Sequence, residues 1–491
     1  MPDNKVLLIF PGDKENKPRC PFSILVLASY LKKKNIDVKI LDTRIKSYTN
    51  FNFEDYCLIG ISAKTGEQVS SALKICKHIK KNTNVPIVWG GPHATFFPEQ
   101  TCKSKYADFV IRSEGEETLY ELTKAIINKT GYDNIKGLTY KKDYEIISNI
   151  DRPFMDMNKL DLPAFDLVNL NDYQDKIGHI IIETSRGCPH RCSFCYIHLF
   201  HKYKWRVKSI DKVIKEIKTI IEQYNIQKFF ICDDNFFVDK NRVIDFCKTV
   251  KNEKLNLEIV TSARANYLAR YNDNELQIIK DAGIKFISIG AESGSERILN
   301  LIKKDITKED ILQSAINCTK YNIIPIYSFV IGTPHEKKKD LYETIDSYNK
   351  LKAISPLVEI NGIYIFTPYP GTPIYEEAIK LGYKPEESLE GWAKWSFSNP
   401  TNLPWLKKKR KHKLEVISKI ALFWFIKNRF NSYGKEFKRK KLGKVYINII
   451  WDIGSFILDQ DAKIRFKKKW FSCGYEWILF GFISEKYFKS V

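Results

Sequence analysis

Three cysteines lie close together at Cys188, Cys192 and Cys195, with the spacing C-x3-C-x2-C. They follow a short run of three isoleucines, and Gly187 precedes the first cysteine, so a strand followed by a loop is predicted. Structural zinc sites use paired C-x2-C knuckles and ferredoxin runs add a fourth cysteine, so neither class matches. Three thiolates in one loop can bind a four-iron cluster and leave one iron open to a substrate or cofactor. Three unrelated thiols are the alternative, which the strand and the glycine disfavour.

This loop resembles the signature of the radical S-adenosylmethionine (SAM) enzymes, in which an aromatic residue precedes the last cysteine. That residue is Phe194 in this sequence. The resemblance implies a 4Fe–4S cluster bound by Cys188, Cys192 and Cys195, with the amino and carboxyl groups of SAM on the open iron. It also implies one-electron reduction, by a donor of the flavodoxin or ferredoxin type, that cleaves SAM to a 5′-deoxyadenosyl radical.

Strands and helices alternate from residue 176 to about residue 385, in six βα-like units. This alternation predicts a partial (β/α)6 barrel with functional residues in the loops that follow its strands. Two of these loops resemble the family's fourth-strand G-x-E-S and fifth-strand I-G-x-P-x-E motifs. The resemblance implies that Phe194 contacts adenine, Glu292 the ribose and Arg264 the carboxylate of SAM. The backbone of Ile331 and Gly332 is expected to contact adenine as well.

Each of these polar residues could also be a simple strand-end turn or helix cap. Glu336 could be such a cap at the start of the next helix. Asp233 and Asp234 follow the second strand of the barrel and could instead face a substrate. The full set, together with the cysteine loop, is hard to explain by caps alone.

Residues 1 to about 150 alternate apolar runs, such as Lys5–Phe10, with amphipathic stretches. Strands rich in β-branched residues with a helix between each pair predict a doubly wound, Rossmann-like domain with a parallel sheet. Ligands of such sheets bind at the carboxyl ends of the strands. The small or turn-forming residues at those ends are Ser62, Thr65, Gly90, Gly91 and His93.

A doubly wound domain directly before a radical SAM domain resembles the cobalamin-binding radical SAM enzymes. The Gly90-Gly91-Pro92-His93 turn and the acidic run that begins at Glu114 are similar to that subgroup. The resemblance implies that the strand-end residues contact cobalamin. The D-x-H-x-x-G motif, which supplies an axial histidine in other cobalamin proteins, is missing. A degenerate domain that only packs against the barrel is the alternative.

The chain has 491 residues, of which 44% are hydrophobic, so it can form two or three domains with real cores. The N-terminus shows no charged-then-apolar signal, and no uninterrupted apolar stretch has spanning length. Eleven cysteines, three of them clustered for metal, indicate a reducing cytoplasm rather than a disulfide framework. Residues 151–175 resemble a linker, and residues 386–491 are expected to form a mostly helical C-terminal region.

The formal charge of +22 is concentrated near the C-terminus, where residues 401–491 contain 22 Lys and Arg against 7 Asp and Glu. Basic clusters alternate there with aromatic apolar segments. This pattern is typical of a region that lies on an anionic membrane, and it would place a cytoplasmic protein at the inner face. A helical cap with solvated lysines and an RNA-binding region are the alternatives, and the apolar runs disfavour RNA.

The two resemblances together imply a cobalamin-dependent radical SAM enzyme, in which methylation of an unactivated carbon is the commonest chemistry. The basic, aromatic tail favours a hydrophobic small-molecule substrate such as an isoprenoid lipid or a tetrapyrrole. Oxidative cyclisation or another carbon–carbon bond-forming reaction remains open.

Two further hypotheses remain. A tRNA methylthiotransferase-like enzyme would need a second cluster, for which Cys20, Cys57 and Cys76 supply the number of thiols but not the surroundings. A non-catalytic regulator that binds cobalamin or SAM would not need the intact cysteine motif.

Overall fold

A computed structural model describes residues 4–15, 18–173, 178–396, 403–421 and 460–471. The chain divides into two compact units that interleave along the sequence. The first unit comprises residues 1–189, 196–234 and 384–402, and the second comprises residues 190–195, 235–383 and 403–491. The predicted domain boundaries near residues 150, 175 and 385 stay predictions.

The first unit contains a seven-stranded sheet with the strand order β2-β1-β3-β4-β5-β6-β7. Strands β1 to β5 pair in parallel, and β6 and β7 extend the sheet as an antiparallel hairpin. In register, Leu8 lies opposite Ile40 on one side and Gly60 on the other. The strands are β1 (Lys5–Phe10), β2 (Asp37–Asp42), β3 (Leu58–Ser62), β4 (Ile87–Gly90), β5 (Phe109–Ile111), β6 (Leu138–Lys142) and β7 (Glu145–Ser148).

Five helices connect these strands, and their apolar residues recur at the three- and four-residue spacing of a helix face. On α1, for example, Ile24, Ala28 and Leu31 are buried against the strand residues Val6 and Leu8. The helices are α1 (Phe22–Lys33), α2 (Glu67–Asn82), α3 (Pro92–Phe96), α4 (Pro98–Lys103) and α5 (Glu116–Asn128).

The predicted linker contains only three 3-10 helices between residues 151 and 173, at Met157–Lys159, Phe165–Leu167 and Leu170–Asp172. The chain then forms β8, which pairs in parallel with β11, and the short antiparallel pair of β9 and β10. Ser209 caps α7 by accepting a hydrogen bond from the Lys212 N–H. These elements are β8 (Ile180–Ile182), β9 (Ser185–Arg186), α6 (Ile197–Phe200), β10 (Arg206–Val207), α7 (Ile210–Tyr224) and β11 (Lys228–Ile231).

The second unit contains four strands that pair in parallel in chain order, β12 to β15. The register between β13 and β14 shifts between Gly290 and Glu292, so a bulge lies at the end of β13. The elements are α8 (Lys240–Asn252), β12 (Glu258–Ala263), α9 (Ala265–Leu268), α10 (Asp273–Asp281), β13 (Ile284–Glu292), α11 (Glu296–Leu301), α12 (Lys308–Lys320), β14 (Ile324–Ile331), α13 (Lys338–Ile354), β15 (Glu359–Ile365) and α14 (Pro373–Lys380).

The described parts of the C-terminal region contain three helical stretches. Helix α15 (Leu389–Trp392) belongs to the first unit, and residues 408–421 and 460–468 are helical. Within the described parts of the chain, no helix has the length and apolar character needed to cross a bilayer. The basic and aromatic runs at 423–426, 438–441, 449–451 and 477–480 lie outside the described residues.

Candidate active site

The three predicted cluster ligands lie in the loop that follows β9, and none of them forms a disulfide. Cys192 is buried, whereas Cys188 and Cys195 are partly exposed. Backbone hydrogen bonds hold this loop in the second unit, where the Ser193 N–H donates to the Ile302 carbonyl and the Ser193 carbonyl accepts from the Ile374 N–H.

Two aspartates at the end of β11 hold the start of the cysteine loop. The Asp233 carboxylate accepts hydrogen bonds from the Thr184 N–H at 2.7 Å and from the Ser185 hydroxyl at 2.6 Å. Asp234 accepts the Gly187 N–H at 2.8 Å. Burial raises the pKa of both carboxyls, that of Asp234 to about 6, although the bond from the Gly187 N–H opposes this shift. The alternative that Asp233 faces a substrate is disfavoured, because its oxygens bind the loop.

Arg264 lies beside the cysteine loop in the second unit. Its Nη1 donates to the Cys192 sulfur at 3.2 Å, and its Nη2 donates to the carbonyls of Lys304 and Asp305. The side chain is buried, and a guanidinium next to a thiolate provides charge stabilisation where a cluster ligand is expected. Its predicted contact with the SAM carboxylate stays a prediction, since these partners already occupy much of its hydrogen-bonding capacity.

Glu292, the predicted ribose contact, forms a buried ion pair with Lys304, with 2.8 Å between Oε1 and Nζ. The Lys304 ammonium also lies 5.7 Å from the ring centroid of Phe194, the predicted adenine contact. Gly290 leaves room for this pair, because a Cβ there would lie 2.2 Å from Glu292 Oε1. Glu292 itself adopts a left-handed backbone with φ of 61°, a strained conformation that is common at functional sites.

Lys304 was missed by the sequence analysis, although it is the cation nearest to two predicted SAM contacts. A second missed pair is His190 and Tyr267, whose Nε2 and hydroxyl oxygen are 2.7 Å apart. Burial, with help from Arg264 and Lys304, lowers the pKa of His190 to about 4. Its place between two cluster cysteines was the one signal in the sequence that could have identified it.

Ile331 and Gly332, at the end of β14, are the remaining predicted SAM contacts, and several of their backbone groups already have partners. The Gly332 N–H donates to Glu336 Oε2 at 3.0 Å, and the Gly332 carbonyl accepts from Trp405 Nε1 at 2.9 Å. The Ile331 carbonyl accepts the Phe366 N–H. Glu336 does not cap α13, because Lys337 is the capping residue and Glu336 is buried in the turn.

The donor chemistry fits a 4Fe–4S cluster better than a single metal ion. Within the described ranges, no three His, Cys, Asp or Glu side chains are arranged around one metal ion. A cubane cluster needs another arrangement, because each thiolate binds a different iron. Three thiols in an eight-residue loop, free of disulfides and with Arg264 beside one of them, are the donors such a cluster requires.

The first unit contains a cavity of about 320 Å³ at the carboxyl ends of its parallel strands. Three of the five predicted cobalamin contacts line it, namely Ser62, Gly90 and Gly91. Its walls are mostly apolar, with residues such as Leu8 and Leu27, and a few polar groups lie between them. This combination is typical of a site for an organic ligand at the edge of a doubly wound sheet.

The other two predicted cobalamin contacts, Thr65 and His93, do not line this cavity. Their side chains bind each other, with 3.1 Å between Thr65 Oγ1 and His93 Nδ1. His93 is fully buried and lies 5.8 Å from the ring of Trp392, and this burial lowers its pKa to about 3. His93 is therefore a neutral histidine in the packing between α3 and α15.

Charged residues form one wall of the cavity, and the sequence analysis singled out only the acidic run among them. Arg186 pairs with Glu116 at 2.8 Å and with Glu183 at 2.9 Å, and Arg206 pairs with Glu114. Burial alone would raise the pKa of Glu114, but Arg186 and Arg206 hold it below its ordinary value. Burial raises the pKa of Glu183 despite Arg186. The acidic run at 114–117 was the sequence signal for this network.

Comparison with known families supports both halves of the prediction. The model of the radical SAM superfamily matches residues 182–348, and the model of the B12 binding domain matches residues 20–123. The chain is 32% identical over 392 residues to the uncharacterized methyltransferase PH0819 of Pyrococcus horikoshii, covering 76% of this chain and 83% of that protein. It is 27% identical over 374 residues to an anaerobic magnesium-protoporphyrin IX monomethyl ester cyclase of Synechocystis, covering 74% and 73%.

Solved structures share the fold at lower identity. The cobalamin-dependent SAM radical enzyme OxsB, with aqua-cobalamin bound, matches 95% of this chain and 80% of its own, with a TM-score of 0.68 and 19% identity. The radical SAM methyltransferase TsrM from Kitasatospora setae matches 77% of this chain and 75% of its own, with a TM-score of 0.64 and 17% identity. These likenesses confirm the predicted fold class, a Rossmann-like domain followed by a radical SAM domain.

Proposed function

The chain belongs to the cobalamin-binding radical SAM enzymes, and on that premise we propose that it methylates an unactivated carbon of a hydrophobic small molecule. The family's cofactors are a 4Fe–4S cluster, SAM and cobalamin, and its reactions need a one-electron reductant. When bound, these groups supply a 5′-deoxyadenosyl radical that removes a hydrogen atom and a methyl group that replaces it. The chain's own residues bind and orient the groups.

One observation carries the proposal. The cavity at the strand ends of the first unit is lined by residues that directly flank the cluster cysteines in the sequence. Arg186 lies two positions before Cys188, and Tyr196 directly follows Cys195. The proposed cobalamin cavity and the proposed cluster ligands therefore use residues of one short stretch of the sequence.

In the second unit, the polar cluster supports the binding of SAM. Arg264 would stabilise the thiolate of Cys192, and the Glu292 carboxylate would accept hydrogen bonds from ribose hydroxyls. Lys304 is a second candidate for the SAM carboxylate, because its ammonium lies between Glu292 and the ring of Phe194.

Anaerobic purification with cobalamin supplied, followed by metal analysis, tests the cofactor set. We expect about four irons and one cobalt per chain, since one cubane and one cobalamin are proposed. Cys192→Ala should lose most of the iron, whereas Cys247→Ala, a buried core cysteine on α8, should keep it. Iron without cobalt would remove cobalamin from the mechanism, and about eight irons without cobalt would favour the methylthiotransferase alternative.

Incubation with SAM labelled in its methyl group tests the reaction. Reduced enzyme with extracts that contain isoprenoid lipids and tetrapyrroles should form 5′-deoxyadenosine and a product that carries the labelled methyl group. Failure to cleave SAM after reduction would revive the regulator hypothesis.

Oxidative cyclisation is a second candidate, and the 27% identical cyclase of Synechocystis favours it. The same incubation separates the two reactions. A cyclase would form 5′-deoxyadenosine and a changed product that carries no labelled methyl group.

Contact with an anionic membrane is part of the proposal, because it would give access to a hydrophobic substrate at the inner membrane face. The segment 460–471 supports it, since one side of its helix exposes Lys463, Lys467 and Lys468. Ile464 and Trp470 are about half exposed on the same segment. Lysines with apolar tips between them are typical of helices that lie in the headgroup region.

A further inference from the structure

The residues 403–421, here called the C-terminal segment, contact the turn that follows β14. Leu406 and Leu414 are buried, and their methyl groups fill the space where a side chain at Gly332 would start. A Cβ at Gly332 would lie 2.8 Å from Leu414 Cδ1. With a φ of 78°, this position also has a left-handed backbone that favours glycine. The C-terminal segment, rather than a ligand, therefore explains the glycine.

Two side chains of the C-terminal segment bind the same turn through hydrogen bonds. Trp405 donates its Nε1–H to the Gly332 carbonyl at 2.9 Å. Arg410 donates to the Glu336 carbonyl at 2.5 Å and to Glu336 Oε2 at 3.0 Å. The Glu336 carboxylate also accepts the Gly332 N–H, so hydrogen bonds hold both ends of this turn. The Glu336 side chain is 1% exposed, so these bonds lie in a poorly solvated environment where losing one is costly.

The ring of Trp405 also connects this turn to the cysteine loop through apolar packing. Trp405 packs against a buried cluster that consists of Ile298, Ile302, Phe366 and Ile374. Phe194, the aromatic residue before the last cysteine, packs against the same cluster. A shift of Trp405 would therefore disturb both the turn and the ring that are predicted to contact adenine.

We propose that Trp405 and Arg410 are positioning residues of the SAM site, which fix the turn from Gly332 to Glu336 from outside the radical SAM core. The inference rests on the proposed binding of SAM beside this turn. It goes beyond the family signature, because both residues lie more than 50 positions after the matched radical SAM region. It also gives the C-terminal segment a role in cofactor binding that is independent of any membrane contact.

The test compares three variants of the full-length protein with its cluster reconstituted. Trp405→Phe keeps an aromatic ring but removes the N–H donor, and Arg410→Gln removes the charge. Lys413→Gln is the matched control, because Lys413 lies on the same helix but donates to the Tyr342 hydroxyl instead. Equilibrium dialysis without reductant measures the dissociation constant of SAM. We expect it to rise on the order of tenfold in the first two variants and less than twofold in the control.

A second readout separates positioning from a loss of folding. Burial raises the pKa of Glu336 to about 7 and Asp340 acts in the same direction, whereas the Gly332 N–H and Arg410 oppose that shift. Arg410→Gln should therefore move the pH dependence of SAM binding to higher pH, whereas Arg410→Lys should restore it. A variant that only unfolds would lose iron and show no shifted profile. Arg410 is 34% exposed in its side chain, so its substitution is expected to leave the fold intact.

The outcomes distinguish this inference from the proposed function. Unchanged dissociation constants for Trp405→Phe and Arg410→Gln, in protein that still cleaves SAM, would overturn the inference and leave the function standing. The expected tenfold changes in a protein that forms no methylated product would support the inference and count against the function.

Discussion

The ion pair between Glu292 and Lys304 combines a strong attraction with a large desolvation cost. The two side chains are 10% and 8% exposed, so neither charge is well solvated. A buried pair adds little net stability over apolar residues, but a single remaining charge in the same place is strongly destabilising. The pair is therefore best understood as a means to hold Glu292 in a fixed position beside Phe194 and the cysteine loop.

Lys304→Met is expected to destabilise the protein by about 3–5 kcal/mol, because it leaves the Glu292 carboxylate buried without a partner. The double variant Glu292→Gln with Lys304→Met should cost clearly less than the sum of the single changes. Urea unfolding of the SAM-free protein measures both costs. Lys320→Met is the control, since Lys320 and Asp273 form an exposed pair whose loss should leave the free energy of unfolding almost unchanged. Additive costs for Glu292 and Lys304 would contradict the coupling.

The cysteines, Phe194, Arg264 and Glu292 were predicted from the sequence because each lies in a short motif or at the end of a strand. Lys304 has no such signal, since it lies in the segment after α11 and reaches Glu292 only through the fold. The expectation that ligands bind at the carboxyl ends of the strands selected five residues. Ser62, Gly90 and Gly91 line the cavity, whereas Thr65 and His93 do not. Sequence position cannot tell on which side of the turn a side chain packs.

At the scale of elements, the end of β11 holds the loop that follows β8. Strand β11 pairs in parallel with β8, so their carboxyl ends lie at the same edge. Asp233 binds the residues directly after β8, and Asp234 binds the Gly187 N–H just before the first cysteine. Two consecutive carboxylates just after one strand thus define the path of the chain into the proposed cluster site.

Asp234→Asn should change how stability depends on pH. Burial raises the pKa of Asp234 from 3.8 to about 6, so the folded protein holds this proton more tightly than the unfolded chain does. The contribution of Asp234 to stability is therefore fully present below pH 4 and decreases as pH rises to about 6. Relative to wild type, the asparagine variant should gain about 1–3 kcal/mol between pH 4 and pH 7. Urea unfolding across this range measures the difference, and a difference independent of pH would refute the assignment.

The strongly periodic elements were predicted well. The sequence predicts a helix at Ser209–Tyr224 and a strand at Lys228–Cys232. The helix is observed at Ile210–Tyr224 with Ser209 as its cap, and the strand ends one residue earlier than predicted. The β6–β7 hairpin was not predicted. Its turn contains no glycine, and Asp143 adopts the positive φ of 55° there. Its strands are exposed where they meet the turn. Neither a glycine turn nor an apolar alternation therefore indicates the hairpin in the sequence.

At the scale of the whole molecule, the two compact units do not follow the order of the chain. Residues 190–195 belong to the second unit although their neighbours belong to the first, and the C-terminal region is divided between both. Alternating strands and helices predict sheets, but they carry no information about which late segment packs on which sheet. For this reason the roles of Trp405 and Arg410 could not be inferred from the sequence.

The distribution of charge along the molecule predicts binding to anionic vesicles. Residues 401–491 carry an excess of 15 positive charges, and Lys467 and Lys468 are exposed beside Trp470. A lysine near an anionic surface contributes about 1 kcal/mol, so Lys467→Glu with Lys468→Glu should weaken binding to phosphatidylglycerol-containing vesicles by about 30-fold or more. Lys74→Glu with Lys77→Glu makes the same charge change on exposed positions of α2 and should leave binding within threefold of wild type.

Co-sedimentation at low and high salt gives both values, with purely phosphatidylcholine vesicles as the reference. Equal binding to neutral and anionic vesicles would contradict the electrostatic argument. Salt-sensitive binding to RNA without binding to vesicles would favour a nucleic-acid partner. The two outcomes differ because both partners attract lysines, but only a bilayer accommodates Ile464 and Trp470 in an apolar layer.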